Sequence, residues 1–192
     1  MSSEKLFVSA DSLLDDAFRL GQRIAASGYR PDILIALWRG GTPVGIAVQE
    51  LLTYLGIETR HFAVKTSHYS GIDARKDDIL VEGLEAPLAA MAPDSKVLIV
   101  DDVFDTGLTL ERLAGMLEQT IRSGEIRTAT PYFKPACNKT TRRPDYYLHE
   151  TDRWIVFPHE LTGLSAEEIL AGKKELGVLR EILRTTPSTS LD

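Results

Sequence analysis

Apolar side chains recur at mostly helical spacing over residues 12–27, at Leu13, Leu14, Ala17, Phe18, Ile24 and Ala25. This spacing predicts an amphipathic helix whose start Ser9 or Asp11 can cap. Gly28, Tyr29, Arg30 and Pro31 end it, and the run ILIAL at 33–37 is short and continuously apolar, the pattern of a strand buried on both faces. After WRGG, Thr42 and Pro43 suit the N-cap and first position of a helix that runs to Leu55 and stops at Gly56. Residues 59–64 read as a further strand. Residues 66–78, TSHYSGIDARKDD, keep neither apolar period and read as a mobile loop. VLIV at 97–100 repeats the buried-strand pattern, and Leu110, Leu113, Met116, Leu117 and Ile121 carry the stripe of the helix after it. A strand over 127–133, a turn rich in Pro, Lys and Arg (KPACNKTTRRP), strand-like pieces at 146–148 and 154–157, and one or two helices across 166–184 complete the chain, with TTPSTSLD as a frayed tail.

Strands alternating with helices predict an α/β fold, a central and mainly parallel sheet flanked by helices, whose functional groups gather at the C-terminal ends of the strands. A chain of 192 residues with 43% hydrophobic content can bury one full core, and no repeat, low-complexity tract or interdomain linker interrupts it. The net charge of −6, with Lys and Arg scattered, argues against a nucleic-acid or anionic-membrane surface, since both need clustered positive charge. Cys137 is the single cysteine, so neither an intrachain disulfide nor a thiol pair for zinc can form, which fits a reducing cytoplasm. The opening MSSEKLFVSADSLLDD lacks the apolar run of a signal peptide, and no later stretch reaches membrane-spanning length.

The chemistry concentrates in VLIVDDVFDTGLTL, residues 97–110. A strand end followed by Thr106, Gly107, Leu108 and Thr109 at a helix start offers backbone N–H groups, two hydroxyls and the positive end of a helix dipole, a setting that favours a phosphate. Asp101 and Asp102 would repel that phosphate unless they face sugar hydroxyls or a divalent cation. Taken singly, two acids can merely end a strand and Asp105 can cap the helix. The combination describes a phosphorylated sugar.

This stretch closely resembles the phosphoribosyl-diphosphate motif of the type I phosphoribosyltransferases. The resemblance implies that Asp101 and Asp102 hold the ribose hydroxyls, that Asp102 assists Mg2+, and that the loop at 105–109 wraps the 5-phosphate. Members acting on 6-oxopurines carry an acid where Asp105 stands, and there it handles the proton at purine N7. WRGG resembles the family's pyrophosphate loop, with Arg39 and Gly40 as contacts and an often cis, nonproline peptide turning N–H groups toward the leaving group. TSHYSGIDARKDD resembles the flexible catalytic loop, with Ser67 and Tyr69 as contacts. FKPACNKTTRRPDYYLHETDRWIVFPHE resembles the base-binding region of xanthine-guanine and hypoxanthine enzymes: Lys134 donates to purine O6, Trp154 stacks on the ring, and the backbone of Ile155 meets the C2 edge. Glu160 matches an acid near a second magnesium, whereas the arginine that many members carry shortly after it is not found.

The implied fold is that of the type I enzymes, a phosphoribosyltransferase domain over residues 1–162 with a small base-binding hood formed by the chain ends and residues around 134–160. A C-terminal helical extension and tail follow at 163–192. The implied activity is purine salvage, the transfer of a phosphoribosyl group from phosphoribosyl diphosphate to hypoxanthine, guanine or xanthine by a cytoplasmic homodimer or homotetramer. A regulatory protein that binds phosphoribosyl diphosphate without turnover, or a transferase for another base, is the alternative. Cys137 and His159 are read as structural.

Overall fold

The continuous apolar runs become the middle of a sheet. The computed structural model describes residues 4–68 and 79–185. In chain order the elements are β1 (Leu6–Phe7), α1 (Ala10–Ala26), β2 (Ile33–Trp38), α2 (Gly41–Tyr54), β3 (Arg60–His68), β4 (Ile79–Glu82), α3 (Glu85–Ala90), β5 (Lys96–Val100), β6 (Val103–Phe104), α4 (Leu108–Glu118), β7 (Glu125–Phe133), β8 (Tyr146–Glu150), β9 (Ile155–Val156), α5 (Ala166–Gly172) and α6 (Gly177–Thr185). Their contacts divide the chain into two units, one of Leu14–Asp152 and one of Met1–Leu13 with Arg153–Asp192.

The larger unit holds a seven-stranded sheet in the order β4-β3-β2-β5-β7-β6, with β8 on the other side of β7. Every pairing is parallel except β3 with β4. Because successive strand residues face opposite ways, Ile33, Ile35, Leu37, Val97 and Ile99 line one face, where they pack with Leu110, Leu113, Ala114 and Leu117 of α4. On α2, Gly45 lies against Ala36 and Leu34 of β2, residues of the opposite face. Both faces are therefore covered, which is why these strands read as unbroken apolar runs rather than alternating ones. No helix among the described residues is long and apolar enough to cross a membrane.

Three local readings change. Thr42 is not an N-cap: its hydroxyl donates backward to the Arg39 carbonyl at 2.5 Å, and α2 begins two residues earlier than expected, at Gly41 with Gly40 as N-cap. Residues 66–68 are strand and not loop, because Ile79–Glu82 forms β4 and pairs antiparallel with them, Lys65 to His68 against Glu82 to Ile79, helped by a 2.6 Å Lys65–Glu82 ion pair. A local pattern cannot reveal a strand whose partner lies further along the chain. The third change is β6, which pairs with β7 in the same offset as β5: Val100 faces Ala129 and Val103 faces Tyr132. One strand thus continues through Asp101 and Asp102 without a change of register.

In the smaller unit β1 pairs in parallel with β9, joining the start of the chain to its last third. The expected helical region after residue 163 forms two helices, α5 and α6, and α5 opens with a capping box between Ser165 and Glu168.

Candidate active site

The acid pair sits where β5 is interrupted. The Asp101 N–H donates to the Ala129 carbonyl at 3.1 Å and the Asp102 carbonyl accepts from Tyr132 N–H at 3.4 Å, so the backbone is held on β7 while the two carboxylates are left at the strand end. Asp102 is buried, and its N–H donates to Asp101 Oδ1 at 3.0 Å. Desolvation, followed by the neighbouring Asp102 charge, pushes the Asp101 carboxyl well above the usual carboxylate range, while N–H groups of Asp102 and Gly41 pull the other way.

Beside the acids lies the turn after β2. The Trp38–Arg39 peptide is cis. A Cβ on Gly40 would collide with the Asp102 carboxylate, and one on Gly41 would collide with the Val100 carbonyl and the Asp101 backbone. Glycine is needed at both positions because β2 and β5 are neighbours in register, Ala36 facing Val100, so their ends are forced together. Arg39 is exposed there.

After β6 the chain turns through Asp105, Thr106 and Gly107 into α4. Gly107 has φ +78°, the left-handed conformation that favours glycine, and a Cβ would stand 2.6 Å from the Phe104 ring. A cavity of about 240 Å³ opens here, lined by Asp101, Asp105, Thr106, Gly107 and Thr109 together with Val103, Phe104 and Leu110. It joins the start of an eleven-residue helix, two hydroxyls and two carboxylates at one point, a setting that suits a phosphate ester next to sugar hydroxyls. The structure therefore brings together Asp101, Asp102, Asp105, Thr106, Gly107, Leu108 and Thr109, with Gly40 against the pair.

Lys134 directly follows β7 and forms an ion pair with Asp105, Nζ to Oδ2 at 3.1 Å; its side chain is 13% exposed. The following loop is fastened to the same segment, since Lys134 N–H donates to the Phe104 carbonyl and Lys139 N–H to the Thr106 carbonyl, both at 2.9 Å. Cys137 lies in this loop, and burial together with the Asp105 charge pushes its thiol up. The sequence marks Lys134 and Asp105 for the base and the WRGG glycines for close approach, but it singles out Gly40 rather than Gly41, does not mark Phe104, and does not place Cys137 beside Asp105. The repeated glycine in WRGG was the available signal for Gly41, whereas nothing local marks Cys137.

Ser67 belongs to β3, opposite Leu80 of β4. Tyr69, and the catalytic loop expected at its position, lie outside the described residues. Trp154, Ile155 and Glu160 belong to the smaller unit. There Trp154 is 57% exposed, with Lys5 Nζ 5.7 Å from its ring centroid, and Ile155 is buried opposite Leu6. Glu160 accepts the Phe157 N–H through Oε2 at 3.0 Å.

Residues 9–165 match the phosphoribosyl transferase domain. The chain belongs to that family. It is 27% identical to the hypoxanthine-guanine phosphoribosyltransferase of Lactococcus lactis over 184 residues, covering 92% of this chain and 91% of the relative. It is also 27% identical to the xanthine-guanine phosphoribosyltransferase of a Ruegeria species, covering 80% and 84%. The crystal structure of a purine phosphoribosyltransferase from Pyrococcus horikoshii superposes with a TM-score of 0.63 at 29% identity, covering 84% of this chain and 97% of that one. The match spans the β5–β6 interruption where the two acids stand.

Proposed function

We propose that this phosphoribosyltransferase transfers the 5-phosphoribosyl group of phosphoribosyl diphosphate to N9 of a 6-oxopurine, the substrate class in the names of its bacterial relatives. The observation that carries the base assignment is the Asp105–Lys134 pair at 3.1 Å beside the cavity of the phosphate loop. A 6-oxopurine presents an N7–H donor next to its O6 acceptor. A carboxylate acceptor beside an ammonium donor matches that edge, whereas the 6-amino group of adenine would meet Lys134 donor to donor.

In the reaction the bond from ribose C1 to the pyrophosphate oxygen breaks and the bond from C1 to purine N9 forms. Asp105 takes the N7 proton as N9 attacks, a general-base contribution of about 10²–10⁴-fold. Asp101 and Asp102 hold the ribose hydroxyls, the loop of Thr106, Gly107, Leu108 and Thr109 binds the 5-phosphate, and the backbone at Arg39 and Gly40 binds the departing pyrophosphate. Trp154 supplies the stacking surface, an interaction of about 1–3 kcal/mol, and the backbone of Ile155 meets the C2 edge. Ser67, near the end of β3, and Tyr69 contact the substrate.

The donor set fits Mg2+, which takes hard oxygen ligands from one or two carboxylates plus substrate phosphates rather than an all-protein cage. Asp102 would hold one Mg2+ and Glu160 would serve a second, and the metal would neutralise charge on the pyrophosphate. The reading assigns the protein to the cytoplasm as a homodimer or homotetramer, checked by sedimentation of the purified chain.

The deciding experiment measures nucleotide formation from phosphoribosyl diphosphate with hypoxanthine, guanine, xanthine or adenine, with and without Mg2+. The expected result is magnesium-dependent consumption of at least one 6-oxopurine and none of adenine. Consumption of adenine at an equal rate would remove the base assignment. Binding without any turnover would instead favour a regulatory role.

A further inference from the structure

The ammonium of Lys173 is buried, at 2% exposure, and the chemistry above leaves it unused. It closes α5, where its N–H donates to the Ile169 carbonyl at 2.9 Å. Its side chain runs back to the segment after β9, and Nζ donates to the carbonyls of Phe157 at 2.5 Å and Pro158 at 3.2 Å. Burial pushes its pKa below the usual lysine value, while the charges of Glu160 and Glu175 act in the opposite direction.

Phe157 is thus held from both sides. Glu160 Oε2 takes its N–H at 3.0 Å, and the Glu160 N–H donates to its carbonyl at 3.1 Å alongside Lys173. The helix that carries Lys173 is itself fixed to the strand pair at both ends. At one end Gly172 lies so close to the Phe7 ring of β1 that any Cβ would collide with it. At the other, Glu168 pairs with Lys5 at 2.6 Å, and Lys5 lies over the Trp154 ring. Docking a two-turn helix needs only apolar contact, and burying an ammonium is costly. What the ammonium adds is two directed hydrogen bonds to adjacent carbonyls, which fix the path of the turn at 157–160 and of the strand that enters it.

We propose that Lys173 is a positioning residue for recognition of the purine C2 edge, and that α5 is a working part of the base site. The inference rests on the reading that the backbone of Ile155 meets the base at C2. Hypoxanthine carries only hydrogen there, guanine an amino group and xanthine a carbonyl. A displaced strand therefore costs guanine and xanthine their C2 hydrogen bonds and leaves hypoxanthine almost untouched.

The test uses full-length Lys173→Met and Lys173→Arg. It compares kcat and KM for the three bases, KM for phosphoribosyl diphosphate, and hydrogen exchange at the Phe157 amide. Lys173→Met should lower kcat/KM for guanine and xanthine by roughly tenfold relative to hypoxanthine, mainly through KM. It should leave KM for phosphoribosyl diphosphate within about twofold and speed exchange at Phe157, while Lys173→Arg restores much of the selectivity. Should Lys173→Met fail to fold, Lys173→Gln, whose shorter neutral amide replaces the charged donor, carries the comparison with a smaller loss for guanine and xanthine relative to hypoxanthine expected. An equal loss on all three bases, or unchanged exchange at Phe157, overturns the inference. A wild-type protein that consumes no purine sinks the base-site reading and this inference together, whereas turnover with undiminished selectivity in Lys173→Met sinks this inference alone.

Discussion

Asp105 and Lys134 are the residues whose partnership carries the functional reading, and each reads differently alone. A carboxylate near a helix start suggests a cap, yet Gly107 stands at the N-cap and Asp105 turns to the Lys134 ammonium instead. Asp105→Asn keeps the shape and removes the base, so kcat should fall by about 10²–10⁴-fold with KM for phosphoribosyl diphosphate nearly unchanged; steady-state kinetics with a preferred purine checks this, and an unaltered kcat would remove Asp105 from proton transfer. Tyr132, buried beside the Asp16 charge, titrates at about 12 instead of 10.0, chiefly through desolvation. Its folded value lies above the unfolded one, so the unfolded chain releases the proton first as pH rises. The stability it contributes is complete below pH 10 and is lost toward pH 12. Urea titrations should show Tyr132→Phe losing less stability than wild type across that window, by about 1–2 kcal/mol.

At the scale of elements, the interrupted strand β5–β6 and the turn into α4 do the positioning. Both β5 and β6 keep one register on β7, so the acids project from a backbone pinned on either side. Gly107 then admits the sharp entry into α4. Gly107→Ala should cost about 1–2 kcal/mol for the left-handed backbone alone, before the Phe104 ring is displaced. Thermal melting should show that loss, and calorimetry with ribose 5-phosphate should show weaker binding. Gly115, in the same helix with open space around it, is the control: Gly115→Ala should raise stability by about 0.5–1 kcal/mol and leave binding unchanged. Equal behaviour of the two variants would separate the helix entry from the ligand site. The apolar stripe of α4 was legible because Leu110, Leu113 and Leu117 repeat at helical spacing and all are buried. The short β6 was not, because two residues, Val103 and Phe104, carry no period of their own and become a strand only when β7 pairs with them.

For the whole molecule, a ligand held only by the folded acid pair must stabilise the fold by mass action. Phosphoribosyl diphosphate with Mg2+ at about 100 times its Kd should add about 2.7 kcal/mol, a rise in Tm of roughly 5–10 °C for a chain of this size. Asp101→Asn combined with Asp102→Asn should abolish that rise; an undiminished rise would put the ligand elsewhere. The sequence by itself determined the α/β class, the buried strands and the strand-to-helix turn rich in acids and hydroxyls. These features depend on side-chain period and on residues adjacent in the chain. Only the tertiary structure decided that Gly40 meets Asp102, that Lys134 meets Asp105, and that Lys173 holds the carbonyls beyond β9. Those contacts join residues far apart in sequence, and they exist because sheet register and helix docking bring them within hydrogen-bonding distance, information that no local pattern contains.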